Sequence, residues 1–147
     1  MIAEKKNFII NAYTIDRMLV DYHWMIEAIK ELVEENKSID APIASYGDEA
    51  SLPKGNNISN PVYQEYLRRE KRMQRIKEYA KKVTFIQSVS NIITEDRKAE
   101  VLYWLLEGKS MRWIGNQMGL SHTSIQSIKN NIIDTVLQNE LQLAGGF

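Results

Sequence analysis

The chain has no cysteine, which removes disulfides, thiolate metal sites and a cysteine nucleophile. It has only two histidines, His23 and His122, and neither stands in the His-Glu-x-x-His spacing that holds zinc on a helix face. No Gly-rich loop runs into Lys-Ser or Lys-Thr, so the usual phosphate cradle is missing. Glu34 and Glu35 are neighbours and lie on different helix faces, which makes them poor partners for a metal. These absences point away from catalysis, and towards a protein without cofactor or metal. Long apolar runs are also absent, since no stretch approaches the ~20 apolar residues that span a bilayer. Phe8-Ile9-Ile10 follows Lys5-Lys6, but Asn11, Thr14, Asp16 and Arg17 interrupt it too soon for a signal-peptide core. A reducing cytoplasm is the expected compartment, and Asn57-Ile58-Ser59, a glycosylation triplet, is read as coincidence. Proline is scarce. Two of the three, Pro42 and Pro53, fall in one break between otherwise helical patterns.

Net charge is absent as well, with 19 basic against 19 acidic residues. The balance hides two opposed fields. Residues 1–50 carry five basic and ten acidic side chains, whereas residues 65–82 carry eight Lys/Arg and three Glu.

What is present is helical periodicity. Ile15, Leu19, Tyr22, Ile26, Ile29 and Val33 recur at spacings of four and three, a heptad-like seam within an acidic helix over 14–36. The seam packs inside the chain or against a second copy, so a homodimer is one expected partner. Residues 38–60, with Pro42, Gly47, Pro53 and Gly55, have loop chemistry. Asn60 and Pro61 then read as cap and first residue of a second long helix. Val62, Tyr66, Met73, Ile76, Ala80 and Val83 form its seam, broken by Arg69. Its cluster Arg68, Arg69, Arg72 and Arg75 suits either an auxiliary contact with DNA phosphates or pairing with the acidic helix. A third helix is expected from a cap at Thr94 through Val101, Leu102, Trp104, Leu105 and Leu106 to Gly108, with Glu95 and Asp96 favourable at its positive end. The expected division is an acidic helix over 1–37, a linker over 38–60, a basic helix over 61–93, a terminal helical domain over 94–140 and a tail over 141–147.

The most informative stretch runs from Leu106 to Lys129. Gly108 suits a helix C-terminus, Ser110 caps a helix over about 111–118, Gly119 stops it, and Ser121 caps the next. Leu120 plugs the angle between the two, and Ile125, Ile128 and Ile132 give the last helix a buried stripe. No acid occurs between Gly108 and Asn131. This is the pattern of a helix-turn-helix, which seats its second helix in the major groove of double-stranded DNA. His122, Thr123, Ser124, Gln126 and Ser127 are the candidates for base edges, Gln being able to pair with adenine bidentately. Lys109, Arg112, Ser121, Lys129 and Asn130 are the candidates for phosphates, contacts that position the protein and make affinity salt-dependent. Tyr103, Trp104 and Trp113 read as packing residues.

The run Leu105 to Ile125 resembles the region 4 helix-turn-helix of sigma-70-type factors, whose pattern is L-x-x-G-x-S-x-x-x-I-G-x-x-x-G-L-S-x-x-x-I. The segment Ser51-Leu-Pro-Lys-Gly-Asn-Asn-Ile-Ser-Asn-Pro61, ahead of a basic helix and this motif, is similar to the loop of phage-encoded ArpU/RinA-type late-gene transcription regulators. The resemblance implies an all-α fold with a terminal sigma region 4-like domain, in a phage or prophage of Gram-positive bacteria. It implies DNA contact from Ser121 through Ser127 and Lys129, and activation of late or packaging genes. The recognition helix departs from sigma-type helices in having Lys129 as its one basic residue, which favours binding as a dimer or with help from residues 68–82. Activation requires RNA polymerase, and the acidic helix is the surface expected to meet it. Two other readings compete: a helical adaptor or anti-regulator that grips another protein, and a DNA-packaging protein similar to a terminase small subunit.

Overall fold

The computed structural model describes residues 8–50 and 60–145, with side chains placed for 8–37 and 60–144. Five helices follow in chain order: α1 (Ala12–Ala50), α2 (Pro61–Ile92), α3 (Asp96–Leu106), α4 (Met111–Met118) and α5 (His122–Gly145). No strand occurs among the described residues. The expected all-helical class is therefore what the chain adopts.

The chain forms two compact units, one of residues up to Met25 and from Lys81 onward, the other of Ile26–Ala80. This division differs from the expected one, because the unit holding α3–α5 also takes in the start of α1 and the end of α2. The reason is apolar burial. Ile15, Met18 and Leu19 of α1 and Phe85, Ile86 and Val89 of α2 share one core with Val101, Leu102 and Leu105 of α3, Ile114 of α4 and Ile125, Ile132, Ile133 and Val136 of α5. Each fully buried Ile, Leu or Val side chain contributes about 1.5–3 kcal/mol by leaving water. Three short helices alone would leave much of that surface wet.

Helix ends follow local chemistry. At the start of α1, Asn11 Oδ1 accepts from the Thr14 amide at 2.9 Å and Thr14 Oγ1 accepts from the Asn11 amide at 2.9 Å. Such a reciprocal box satisfies two amides that have no intrahelical partner. Asn60 caps α2 as expected, accepting from Val62 N–H at 2.8 Å, with Pro61 in the first turn. α3 begins later than expected: Glu95, with no side-chain capping bond, occupies the position assigned to Thr94. At its far end Gly108 has φ of +88°, while Gly108 N–H donates to Leu105 and Lys109 N–H to Trp104. That paired 5→2 and 6→1 closure requires a left-handed residue, and glycine adopts it without strain.

The expected break after residue 37 is not where the structure puts it. α1 continues as helix to Ala50, and the remainder of the break, 51–59, lies outside the described residues together with most of the Ser51–Pro61 signature. A nucleated helix gains one hydrogen bond for each residue added. Pro42 falls inside it, a position that usually costs about 3 kcal/mol. The expected tail is likewise helical through Gly145, because α5 carries its stripe onward to Val136 and Leu137 and meets no breaker before Gly145.

The seam of α1 is also rotated from its expected centre. Ile15 and Leu19 are buried as expected, but the other deeply buried positions are Met18, Met25 and Leu32, a strict seven-residue repeat between the expected spacings. Tyr22, Ile26, Ile29 and Val33 flank it, half-buried. In the second unit the seam is polar. Leu32 is the one buried apolar side chain among its described residues, and Arg72, with a side chain only 13% exposed, pairs with Glu35 and Glu65, each at 3.2 Å. Arg72 also donates to Asn36 Oδ1 at 2.9 Å.

The tight joint between α4 and α5 yields a test. Leu120 N–H donates to Gly115 O at 2.8 Å, which draws the Leu120 peptide over Gly115, so an added Cβ there would lie 2.6 Å from the Leu120 carbonyl oxygen. Gly115→Ala is expected to lower stability by about 1–3 kcal/mol through overpacking. Gly119→Ala, strained only by its φ of +70° with open space around it, should cost about 1–2 kcal/mol. Denaturant midpoints measure both, and a Gly115→Ala variant as stable as the parent would contradict the close approach.

Candidate nucleic-acid interface

Two capped helix starts frame the site. Ser110 Oγ accepts from Trp113 N–H at 3.1 Å, opening α4. Gly119, at φ +70°, closes it. Ser121 Oγ then accepts from Ser124 N–H at 3.0 Å and donates to Ser124 Oγ at 3.0 Å. The caps at Ser110, Gly119 and Ser121 thus stand where sequence reasoning put them. Gly115 and Leu120 meet as described above, and Ile114 and Ile125 are fully buried, which fixes α4 against α5.

With Ser121 and Ser124 bonded to each other, the first turn of α5 leaves the amides of His122 and Thr123 without intrahelical acceptors, the usual donors to a phosphate at a helix N-terminus. His122, Thr123, Ser127 and Asn130 are exposed, and Ser124 and Gln126 are half-buried. Thr123, Gln126, Ser127 and Asn130 lie three and four residues apart and hence form one outward strip. Gln126 Nε2 donates to Asn130 Oδ1 at 3.2 Å. The amide group keeps a second N–H and its carbonyl, so this contact holds the side chain along the strip without exhausting it. Asp134, exposed one turn beyond Asn130, ends the acid-free strip. Ser121 and Ser124 serve the cap first, and their hydroxyls are less available to bases or phosphates than their sequence positions suggest.

The cations divide. Lys109 is exposed, with Nζ 4.8 Å from the centre of the Trp113 ring, and the Trp113 ring stands edge-on to Trp104 at 4.9 Å. A cation over an indole face is held by the ring quadrupole. Arg112, in the first turn of α4, is exposed. Trp104 and Trp113 are half-buried against the core, as packing residues.

Lys129 departs from its expected role. It is buried, and Nζ lies 2.6 Å from Asp16 Oδ1, the Lys side chain being 8% exposed and that of Asp16 34%. It lies four residues after Ile125 and three before Ile132, so it belongs to the inner stripe. A phosphate contact from Lys129 is corrected to an internal ion pair. Asp16 carries no local sign of this role, because its partner lies near the other end of the chain and no local spacing links them.

The auxiliary basic helix also splits. In the second unit Arg69 donates to the Asn36 carbonyl at 3.5 Å and Arg72 to the Glu35–Asn36–Glu65 cluster. Arg68 and Arg75 are exposed, with Arg68 paired to Glu65 at 2.9 Å. Arg69 and Arg72 therefore answer to α1, and only Arg68 and Arg75 of the four face water.

The asymmetry of the Asp16–Lys129 pair gives a second test. Asp16→Ala strands a buried ammonium and is expected to cost about 3–5 kcal/mol. Lys129→Met leaves a carboxylate that still reaches water and an isosteric apolar stem inside, and should cost less than about 1.5 kcal/mol. Thermal or urea unfolding of the two variants distinguishes them, and equal losses would contradict the burial described.

No family model matches the chain, and no solved structure matches it. It is 25% identical over 136 residues to "Uncharacterized protein YqaQ" of Bacillus subtilis (strain 168), a similarity that covers 88% of this chain and 90% of that one. No helix among the described residues is long and apolar enough to cross a membrane.

Proposed function

We propose that the chain is a sequence-specific DNA-binding transcription regulator in which α4, its turn and α5 act as a helix-turn-helix. The observation that carries this reading is the strip Thr123, Gln126, Ser127 and Asn130 on the N-terminal half of α5. It is exposed or half-exposed, free of acids, and mounted on a helix whose opposite face is locked into a core. Small hydroxyl and amide side chains at these spacings suit base edges in the major groove. Lys109 and Arg112, just ahead of and within the first turn of α4, suit the flanking phosphates. By the resemblance of its motifs to ArpU/RinA-type regulators and to sigma region 4, the regulated genes are late genes of a phage or prophage. The expected partner in activation is RNA polymerase, and the setting is the bacterial cytoplasm.

A second reading, a helical adaptor that grips another protein, is favoured by one feature: with Lys129 turned inward, α5 offers no exposed cation on its first two turns. Selection of bound fragments from a sheared host and phage DNA pool tests the two. An enriched site, lost when Thr123 and Gln126 are both changed to Ala, supports regulation; no enrichment by folded protein supports the adaptor.

Salt dependence resolves which cations meet phosphates. Each contact contributes about 0.9 to the slope of log affinity against log salt. On non-specific duplex, Lys109→Ala with Arg112→Ala should flatten the slope by about two contacts, while Lys129→Met should leave it unchanged. A slope that drops with Lys129→Met would restore that residue to the phosphate set.

A further inference from the structure

We infer that Asp16, on the N-terminal helix, is a positioning residue for the base-reading strip of α5, acting through Lys129. The inference rests on the helix-turn-helix reading for its functional meaning, but its structural content stands by itself. α5 is held to the core by Ile125, Ile132, Ile133 and Val136. Such contacts set which face of α5 is buried, but they are non-directional and leave small rotations about that setting less sharply defined than a charge pair does. The Asp16–Lys129 pair is different. Lys129 lies between Ile125 and Ile132 on the inner face, and its ammonium, nearly excluded from water, meets a carboxylate at 2.6 Å. Of the two partners, only Asp16 is wet enough to survive alone. A rotation or a one-residue slip of α5 would part the Lys129 ammonium from the Asp16 carboxylate that compensates it. One orientation of α5 therefore satisfies the pair. It is the orientation that turns Thr123, Gln126, Ser127 and Asn130 outward.

Asp16 itself is well placed to act as a fixed anchor. It stands in the second turn of α1, just behind the Asn11–Thr14 box that pins the helix start, and next to Ile15, which is fully buried. On the same helix, His23 packs its ring against Gly108, 3.2 Å from where a Cβ would stand. α1 thus touches both the joint ahead of α4 and the middle of α5, the two places that set how the reading helix is presented. In this account the first half of α1 is a structural part of the reading head. It is not a detachable arm for a partner.

The test replaces the ion pair by an apolar pair, Asp16→Leu with Lys129→Met, alongside the charge-retaining Asp16→Glu. Replacing a buried ion pair by apolar side chains is commonly neutral or stabilising, so the double variant is expected to melt no lower than the parent. Its preference for the selected site over scrambled duplex should nevertheless fall about tenfold or more, while binding to scrambled duplex and its salt slope persist. Asp16→Glu should retain most of the preference. In the absence of DNA, amide resonances of residues 122–130 should shift or broaden in the double variant and hold their positions in Asp16→Glu. A double variant that melts like the parent, keeps its preference and leaves those resonances in place would overturn the inference. If the parent itself selects no site, the DNA reading fails, and the resonances of 122–130 still decide whether the pair orients α5.

Discussion

α5 has to do two incompatible things with one cylinder: line a core and keep a wet strip of small polar side chains in a fixed direction. Helical geometry separates the two faces, and burial of the inner one sets the coarse direction of the outer one. The apolar stripe from Ile125 to Val136 supplies that burial. The buried Lys129, paired with Asp16, adds a directional contact to it. The rest of the first unit packs around α5. The end of α2 and α3 complete the core, Gly115 lets the turn approach α4 closely, and the paired Ser121–Ser124 hydroxyls close the first turn of α5 without protruding from it.

Charge is organised by the same separation of faces. The opposed fields of the sequence are partly reconciled inside the second unit, where Arg72 draws Glu35, Asn36 and Glu65 around itself and Arg69 turns to a carbonyl of α1. A helix seam holding a guanidinium between two carboxylates is a weak source of stability, since desolvation opposes the attraction. Both units nevertheless place an ion pair in a helix seam, Lys129 with Asp16 between α5 and α1 in the first and Arg72 with Glu35 between α2 and α1 in the second.

What the sequence disclosed was the chemistry of helix ends. Asn60–Pro61, Ser110, Gly119 and Ser121 were legible because capping depends on residues a few positions apart, and those residues act through backbone groups they cannot avoid. Seams were legible in part. The spacing of Ile15 and Leu19, both fully buried, marks the inner face of α1, but Met18, Met25 and Leu32 extend it along a seven-residue line that the isoleucine spacing does not pick out. Lys129 turns inward against expectation because periodicity treats a charged residue as outward-facing and a partner distant in sequence gives no local sign. For Arg69 and Arg72 the sequence leaves DNA phosphates and the acidic helix both open, and their contacts fall on Asn36 and Glu35 of α1. The helix beyond residue 37 is not legible in the sequence because Pro42 and Gly47 carry loop chemistry whatever backbone they end up on.

If the outer strip of α5 reads DNA, its inner face stays locked on α1 while it does so. The most direct measurement is a titration of isotopically labelled protein with a duplex carrying the selected site, followed residue by residue by nuclear magnetic resonance. On this reading the largest changes are expected at Thr123, Gln126, Ser127 and Asn130, with flanking changes at Lys109 and Arg112, while the Asp16 carboxyl and the Lys129 ammonium should not respond. Changes that cluster on α2 instead, or a Lys129 ammonium that leaves Asp16 for the duplex, would contradict it.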